Sequence, residues 1–353
     1  MAQKIMVGMS GGVDSSVAAY LLLRQGYEVT GVTFKLWDDP TLESGCCSAD
    51  DVRDAAFVCQ QLGIPHYVIN YKDLFRQDVV TPFAEEYLRG RTPNPCINCN
   101  RYIKFGAFSH KLKELGFDLM ATGHYARCGY NEATARWELQ RAVHPEKDQS
   151  YVLCHLTQKQ LSILRLPLGE YSKPEIRALA KESRLVVAQK PDSQDICFVP
   201  DGDYAAAIER LAGIKAPCGN FIDASGKVIG THRGITHYTV GQHRGLGLSL
   251  PERRYVCSID AENSTVTLGG SDELYSSTAE VRGFNWISGE TPAEPIRCTA
   301  KIRYRQPEQP ATAIAHKDGS ITIQFDAPQR AVTPGQAAVF YDGDTVLGGG
   351  TIE

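Results

Sequence analysis

No stretch of this 353-residue chain approaches the ~20 consecutive apolar residues that a bilayer-spanning helix needs, which excludes an integral helical membrane protein. The opening Met1-Ala2-Gln3-Lys4-Ile5-Met6-Val7-Gly8 lacks the cationic start, apolar run and small-residue cleavage site of a secretory leader. A cytoplasmic location with no membrane partner is the expectation. A global cationic field is missing too: 37 Lys and Arg against 41 Asp and Glu leave a formal charge of −4. A nucleic-acid partner would therefore be held by local basic patches. No internal repeat or low-complexity tract is evident. Cysteine, by contrast, is plentiful at 11 residues. An odd count in a long chain without an export signal reads as thiols, metal ligands or catalytic groups, not structural disulfides.

At roughly 100–200 residues per domain, the length predicts two or three domains. The N-terminal part alternates short β-branched runs with longer amphipathic ones: Lys4–Val7 then Asp14–Gln25, Glu28–Phe34 then Ser48–Leu62, His66–Asn70 then Asp73–Leu88, and Ile103–Leu115 before Leu119–Thr122. That alternation predicts an α/β fold, a parallel sheet wrapped by helices with ligands at the carboxyl ends of its strands. Ser48 before Asp51 and Ser172 before Glu175 stand at capping-box spacing. From about Gly219 the pattern turns to short alternating runs such as Thr265–Leu268, Cys298–Tyr304, Ile321–Phe325 and Ala337–Tyr341, which read as antiparallel structure and a small barrel. A helical Ala205–Ala212 and the Gly- and His-rich Cys218–Gly247 lie between them. The predicted division is a catalytic domain over 1–203, a central connecting domain over 204–275 and a C-terminal β-barrel over 276–353.

The first strand runs into Gly8-Met9-Ser10-Gly11-Gly12-Val13-Asp14-Ser15, and a good helix follows. A glycine-rich turn feeding a helix N-terminus offers backbone N–H groups and a positive dipole end to a phosphate. The loop has no Walker lysine, and Thr33-Phe34 stands where a dinucleotide fold would end its second strand in an acid. Asp14 beside phosphates calls for a divalent cation, Mg²⁺. A tight turn needing only glycines is the bland reading, but Ser10, Asp14 and Ser15 are too polar for it. The run closely resembles the loop of the ATP pyrophosphatase superfamily (PP-loop, adenine nucleotide α-hydrolase-like), whose members split ATP between the α- and β-phosphates to adenylate an oxygen.

Cys96-Ile97-Asn98-Cys99 places two thiols on the proline-rigidified loop Arg91-Thr92-Pro93-Asn94-Pro95, with Arg89, Arg91 and Arg101 near in sequence. Cys197 lies in Asp192-Ser193-Gln194-Asp195-Ile196-Cys197-Phe198. Thiols beside helix N-termini and basic groups become nucleophiles or metal ligands.

Together with Gly90 to Pro95, Thr122-Gly123-His124-Tyr125, Lys147-Asp148-Gln149-Ser150-Tyr151, Tyr238-Thr239-Val240-Gly241-Gln242 and Arg330-Ala331-Val332-Thr333-Pro334-Gly335-Gln336, these blocks resemble the bacterial tRNA-specific 2-thiouridylases, in order and over essentially the whole chain. The resemblance implies ATP-dependent adenylation of a uridine 2-oxo group in tRNA, then sulfur transfer with loss of AMP. By that match Gly8, Met9, Ser10, Gly11, Gly12, Val13, Asp14, Ser15, Phe34 and Gly123 would hold ATP. Cys99 would be the nucleophile, and Cys197 would receive persulfide sulfur from a cysteine desulfurase or relay protein. Asn94, Pro95 and Cys96 with Lys147, Asp148 and Gln149 would surround the target base of the anticodon loop, and Arg303 and Tyr304 would contact tRNA.

Many family members have Asp where this chain has Cys96, and two sulfur routes stay open. One is persulfide and disulfide chemistry alone. In the other, Cys96, Cys99 and Cys197 hold three irons of a 4Fe–4S cluster whose fourth iron binds hydrosulfide. Zinc is the bland alternative, although a structural site wants four ligands. Cys46 and Cys47 read as incidental, and Cys59, Cys128, Cys154, Cys218, Cys257 and Cys298 as small buried hydrophobes. The alternating Lys301, Arg303 and Arg305 with Tyr304 between them read as one strand face suited to phosphate and base. Arg233, His237, His243, Arg244, Arg253 and Arg254 add local positive charge, and His124 is either an acid–base group or a satisfied structural histidine. Two other readings compete. Another ATP pyrophosphatase, of the amidotransferase or argininosuccinate type, leaves the three cysteines without purpose. A zinc-stabilised RNA-binding protein would ignore ATP.

Overall fold

The apolar run at the start becomes β1 (Lys4–Gly8), with Ile5, Met6 and Val7 fully buried, as an inner strand covered on both faces requires. In the computed structural model, which describes residues 2–37, 49–192, 196–199 and 202–353, β1 is the centre of a five-stranded sheet. The order is β3 (His66–Asn70), β2 (Glu28–Lys35), β1, β4 (Leu119–Ala121) and β7 (Leu164–Arg165), all parallel.

On one face α1 (Val13–Arg24), α2 (Ala49–Leu62) and α8 (Lys173–Glu182) bury Val17, Leu22, Val58 and Ile176 against the sheet. On the other lies an aromatic core built on Phe34, Phe75, Phe83, Phe105 and Phe108. Its helices are α3 (Lys72–Phe75) and α4 (Thr81–Leu88), joined by a π-helical turn, and α5 (Pro95–Asn98) and α6 (Phe108–Glu114), joined by the π-helical Cys99–Ala107. Both bonds of the capping box between Ser172 and Glu175 are present. Ser48, Cys46 and Cys47 lie outside the described residues. Among the described residues no helix is long and apolar enough to cross a membrane.

After α7 (Gln158–Ile163) and α9 (Tyr204–Ala212) comes a four-stranded sheet ordered β10 (Tyr255–Asp260), β11 (Thr265–Gly269), β8 (Gly219–Ile222) and β9 (Val228–His232). The expectation of purely antiparallel pairing fails here, because β8 and β11 run parallel. The long connection over 233–254 makes that possible, since a parallel pair needs a crossover and a tight turn cannot supply one.

Six antiparallel strands then close into the predicted barrel, through pairing of β12 (Tyr275–Trp286) with β17 (Thr345–Ile352). The strands between are β13 (Ile296–Lys301), β14 (Gln309–Ala315), β15 (Ile321–Arg330) and β16 (Ala337–Asp342), and Ala300, Ala311, Ile323 and Phe340 fill the interior. The strand expected over Cys298–Tyr304 stops at Lys301; Arg303 and Tyr304 sit on a turn closed by the Gln306 N–H on the Arg303 carbonyl. The hairpin of β5 (Ala126–Asn131) and β6 (Arg136–Arg141) leaves the parallel sheet to pair Gln140 with Thr345 at the barrel edge. Arg127–Asp344 at 3.0 Å and Arg141–Glu308 at 2.8 Å fasten it there.

Candidate active site

Gly11 turns the chain out of β1 with φ +71°, and a Cβ there would lie 2.3 Å from the Asp51 carbonyl oxygen. Glycine is required for space as well as for φ. Gly12 is the N-cap of α1 without a side-chain bond, so the first-turn N–H groups form the anion-facing end of the helix. Ser10 and Ser15 hydroxyls stand 3.2 Å apart, and Ser15 Oγ accepts the Ser10 N–H at 3.1 Å. Met9 and Val13 are buried, so they offer the loop their backbone only. Phe34 packs edge-on to Phe108 at 4.9 Å, directly behind Gly8. Gly123 presses on α1: a Cβ there would meet Ser15 N at 2.7 Å and Asp14 C at 2.8 Å.

The lysine absent from the loop arrives from α8. Lys173 Nζ donates to Asp14 Oδ1 at 2.6 Å and to Asp192 Oδ1 at 2.8 Å, and the Tyr125 hydroxyl donates to the same Asp14 oxygen at 2.7 Å. Arg177 Nη2 and Lys147 Nζ complete the ring around Asp192, each at 2.9 Å. Burial works to raise the Asp192 carboxyl, but its bonds from Lys173 and Lys147 outweigh it and hold the group below the usual carboxylate range. Burial, and then the Asp14 charge, raise the Tyr125 phenol far above its ordinary value, so it stays a donor. Reading the sequence missed Lys173, Arg177 and Tyr125 as site residues. The capped helix start at Ser172 was visible, but nothing local says that its next residue reaches back to a loop 159 positions earlier.

The cysteine loop is braced by the barrel. Thr92 N donates to the Pro334 carbonyl at 2.8 Å, and Gln336 Nε2 to the Thr92 carbonyl at 2.6 Å. Arg91 pairs with Glu86 at 2.6 Å and Glu353 at 3.2 Å, and Arg89 with Glu86 at 3.0 Å, so these arginines are turned to carboxylates. Asn94 accepts the Cys96 N–H at 3.1 Å and caps α5, with Pro95 as its first residue. Cys96 is exposed; Cys99 is buried and opens the π-helical stretch, a geometry that recurs at functional sites. Phe198, beside the half-buried Cys197, packs on Phe83 at 5.2 Å and Phe75 at 5.8 Å. Cys99 and Cys197 therefore rest on one aromatic core although 98 positions separate them (197 − 99).

Among the described residues no three of His, Cys, Asp and Glu are gathered as a metal site, so Cys96, Cys99 and Cys197 do not fit a cluster as they stand. Ser193, Gln194 and Asp195 lie outside the described residues. Of the remaining cysteines, Cys59, Cys154 and Cys298 are buried and Cys128 and Cys257 partly so. Cys218 departs from the expectation and is exposed, because it precedes β8 instead of lying in it.

Tyr304 joins two of the segments expected at the base. Its hydroxyl donates to the Asp148 carbonyl at 3.4 Å, and its phenol is raised by burial, then by the charges of Asp148 and the nearby Cys96. The Lys301 ammonium stands 5.7 Å from its ring. The Asp148 carboxylate accepts Ala142 N at 3.0 Å and Ser150 Oγ at 2.7 Å, and Gln149 Oε1 accepts Tyr125 N at 3.0 Å, so this turn is rigid. His124 is buried with Nδ1 2.8 Å from Thr122 Oγ1; burial, then the Lys104 charge, push its imidazole well below its ordinary value. A neutral, satisfied histidine fits the structural reading.

Arg303 spends its guanidinium within the protein: Nη2 donates to the Val240 carbonyl at 3.0 Å, the Ala331 carbonyl at 3.3 Å and Thr333 Oγ1. It ties the central segment to the barrel. Arg303→Met is expected to lower the melting temperature and weaken tRNA binding with the slope of log Kd against log salt unchanged. A slope smaller by about one, measured by salt titration, would mark a direct phosphate contact instead.

Three domain families match in series: a tRNA methyl transferase HUP domain over 3–201, a tRNA methyl transferase PRC-barrel domain over 211–270 and an aminomethyltransferase beta-barrel domain over 276–352. Two full-length relatives are tRNA-specific 2-thiouridylase MnmA of Acetivibrio thermocellus, 51% identical over 99% of each chain, and of Clostridioides difficile, 47% identical over 100% of this chain and 99% of that one. Among solved structures, NMN synthetase from Francisella tularensis covers 61% of this chain and 79% of its own at 17% identity and TM-score 0.34, a likeness too low to carry weight. The domain names speak of methyl and aminomethyl transfer, but identity near one half along the entire length is the more specific match. The chain belongs to the tRNA-specific 2-thiouridylase family.

Proposed function

We propose that the chain is a tRNA-uridine 2-sulfurtransferase, which adenylates the 2-oxo group of the wobble uridine with ATP and replaces that oxygen by sulfur, releasing pyrophosphate and AMP. The observation that carries this reading is convergence: one ion network joins the phosphate loop at Asp14 to Lys147 beside the base-surrounding turn, and Cys99 and Cys197 share the adjoining aromatic core.

The loop from Gly8 to Ser15 holds the phosphates through the N–H groups at the start of α1, Gly123 holds the loop against the strand end, and Phe34 flanks the adenine. Mg²⁺ at Asp14 neutralises phosphate charge when it is bound. The Asp14 carboxylate, 33% exposed and bonded through Oδ1, is open enough to take such a hard cation. Asn94, Pro95 and Cys96 with Lys147, Asp148 and Gln149 receive the extruded uridine, and Tyr304 stacks beside it while Arg303 sets its place.

A uridine oxygen is a poor leaving group until adenylation makes it part of AMP. The terminal sulfur of a Cys197 persulfide, loaded by a cysteine desulfurase or relay protein, then attacks C2, and AMP departs with the former 2-oxygen. The Cys99 thiolate attacks Cys197 Sγ, so the terminal sulfur leaves on uridine and a Cys99–Cys197 disulfide remains for an external thiol to reduce. Pyrophosphate release from ATP is the first test: it is expected only when unmodified tRNA is present. Binding of tRNA that ignores ATP, with no pyrophosphate formed, would leave a non-catalytic RNA-binding protein.

A further inference from the structure

The phosphate loop lacks a lysine, yet a lysine is held at it. Lys173 is the first residue of α8, its side chain only 11% exposed. Lysine is almost never buried unless paired, and here two carboxylates share one ammonium, Asp14 at 2.6 Å and Asp192 at 2.8 Å. The two partners are not equivalent. Asp192 also has Arg177 and Lys147, each at 2.9 Å, so it stays compensated without Lys173. Asp14 has a neutral hydroxyl from Tyr125 and the positive end of α1. A phosphate tail on that helix end competes for the same ammonium, and a cation on Asp14 removes the carboxylate's hold on it.

We propose that Lys173 is a phosphate-binding positioning residue: its ammonium passes from Asp14 to a phosphate oxygen of the nucleotide, stays with the pyrophosphate as it is released, and remains anchored by Asp192. This rests on the nucleotide reading given above. Lysine thus reaches the phosphates from a distant helix, in the role that a phosphate loop of the Walker type fills from within its own sequence.

The test is calorimetric binding of inorganic pyrophosphate with Mg²⁺, and separately of AMP, to the full chain. Lys173→Met is expected to weaken pyrophosphate at least about tenfold, the loss typical of one charge-assisted bond, and to leave AMP within about threefold. Lys173→Arg is expected to restore most of the pyrophosphate affinity. Unchanged pyrophosphate binding in Lys173→Met would overturn the proposal, and so would equal losses for both ligands, the mark of a merely structural lysine. If Lys173→Met does not fold, Lys173→Gln takes its place with the same expected split between the two ligands, and unchanged pyrophosphate binding in it overturns the proposal. Wild-type protein that binds neither ATP nor pyrophosphate would instead overturn the nucleotide reading, and the role of Lys173 with it.

Discussion

A chain with serine at position 99 is expected to release pyrophosphate on tRNA at close to the native rate and to make 2-thiouridine at least about a thousandfold more slowly. The substitution keeps the shape of a side chain that is 8% exposed in the aromatic core, so folding should hold. It removes the one property that the proposed second half-reaction uses, a sulfur anion able to attack another sulfur. In the proposed mechanism adenylation draws on the phosphate loop and Lys173 and does not involve the thiol. Cys197→Ser is expected to have the same split phenotype, and the double variant no further loss, because groups that act as a unit are not additive. Single-turnover nucleoside analysis beside a pyrophosphate assay checks this. Parallel loss of both products would instead place Cys99 in adenylation or in the fold.

The second large effect is expected at Gly123. An alanine methyl there would sit 2.7 Å from Ser15 N and 2.8 Å from Asp14 C, both backbone atoms of the first turn of α1, which cannot swing aside as a side-chain tip would. The turn must shift, and a displacement on the ångström scale at a reacting centre costs on the order of a hundredfold. Gly123→Ala is therefore expected to slow tRNA-dependent pyrophosphate release about that much and to raise the KM for ATP. Gly129→Ala, where a Cβ meets nothing within 4 Å, is the matched control and is expected to leave the rate unchanged. A native rate in Gly123→Ala would mean that the loop is not the nucleotide site.

Much of this architecture is written in local patterns. The alternation from Lys4 to Leu62 and the glycine run at Gly11 and Gly12 specify strand, loop and helix, and their short-range physics survives folding unchanged. The same holds for Ser172 and Glu175, whose capping box forms as spaced. Other features depend on where distant segments meet. Lys301, Arg303 and Arg305 look like one strand face, but three oxygen partners from the central segment and the barrel capture Arg303 and the strand ends before it. The Lys173–Asp14 contact joins residues that no periodicity relates, and the Gln140–Thr345 pairing fuses a hairpin of the first segment to the last strand. Arg89 and Arg91 were natural partners for a thiolate by sequence, yet Glu86 and Glu353 claim them in three dimensions.

The central claim is sulfur transfer to uridine by this chain's own thiols. The measurement is an anaerobic assay with metal-free protein, Cys197 preloaded as persulfide, ATP, Mg²⁺ and unmodified tRNA, with the nucleosides read by mass spectrometry. The expected result is 2-thiouridine, formed up to the amount of loaded persulfide and abolished by Cys99→Ser. Absence of 2-thiouridine until a reconstituted iron–sulfur cluster and sulfide are added would contradict it and make Cys96 a cluster ligand, and silence under both conditions would contradict the thiolation reading itself.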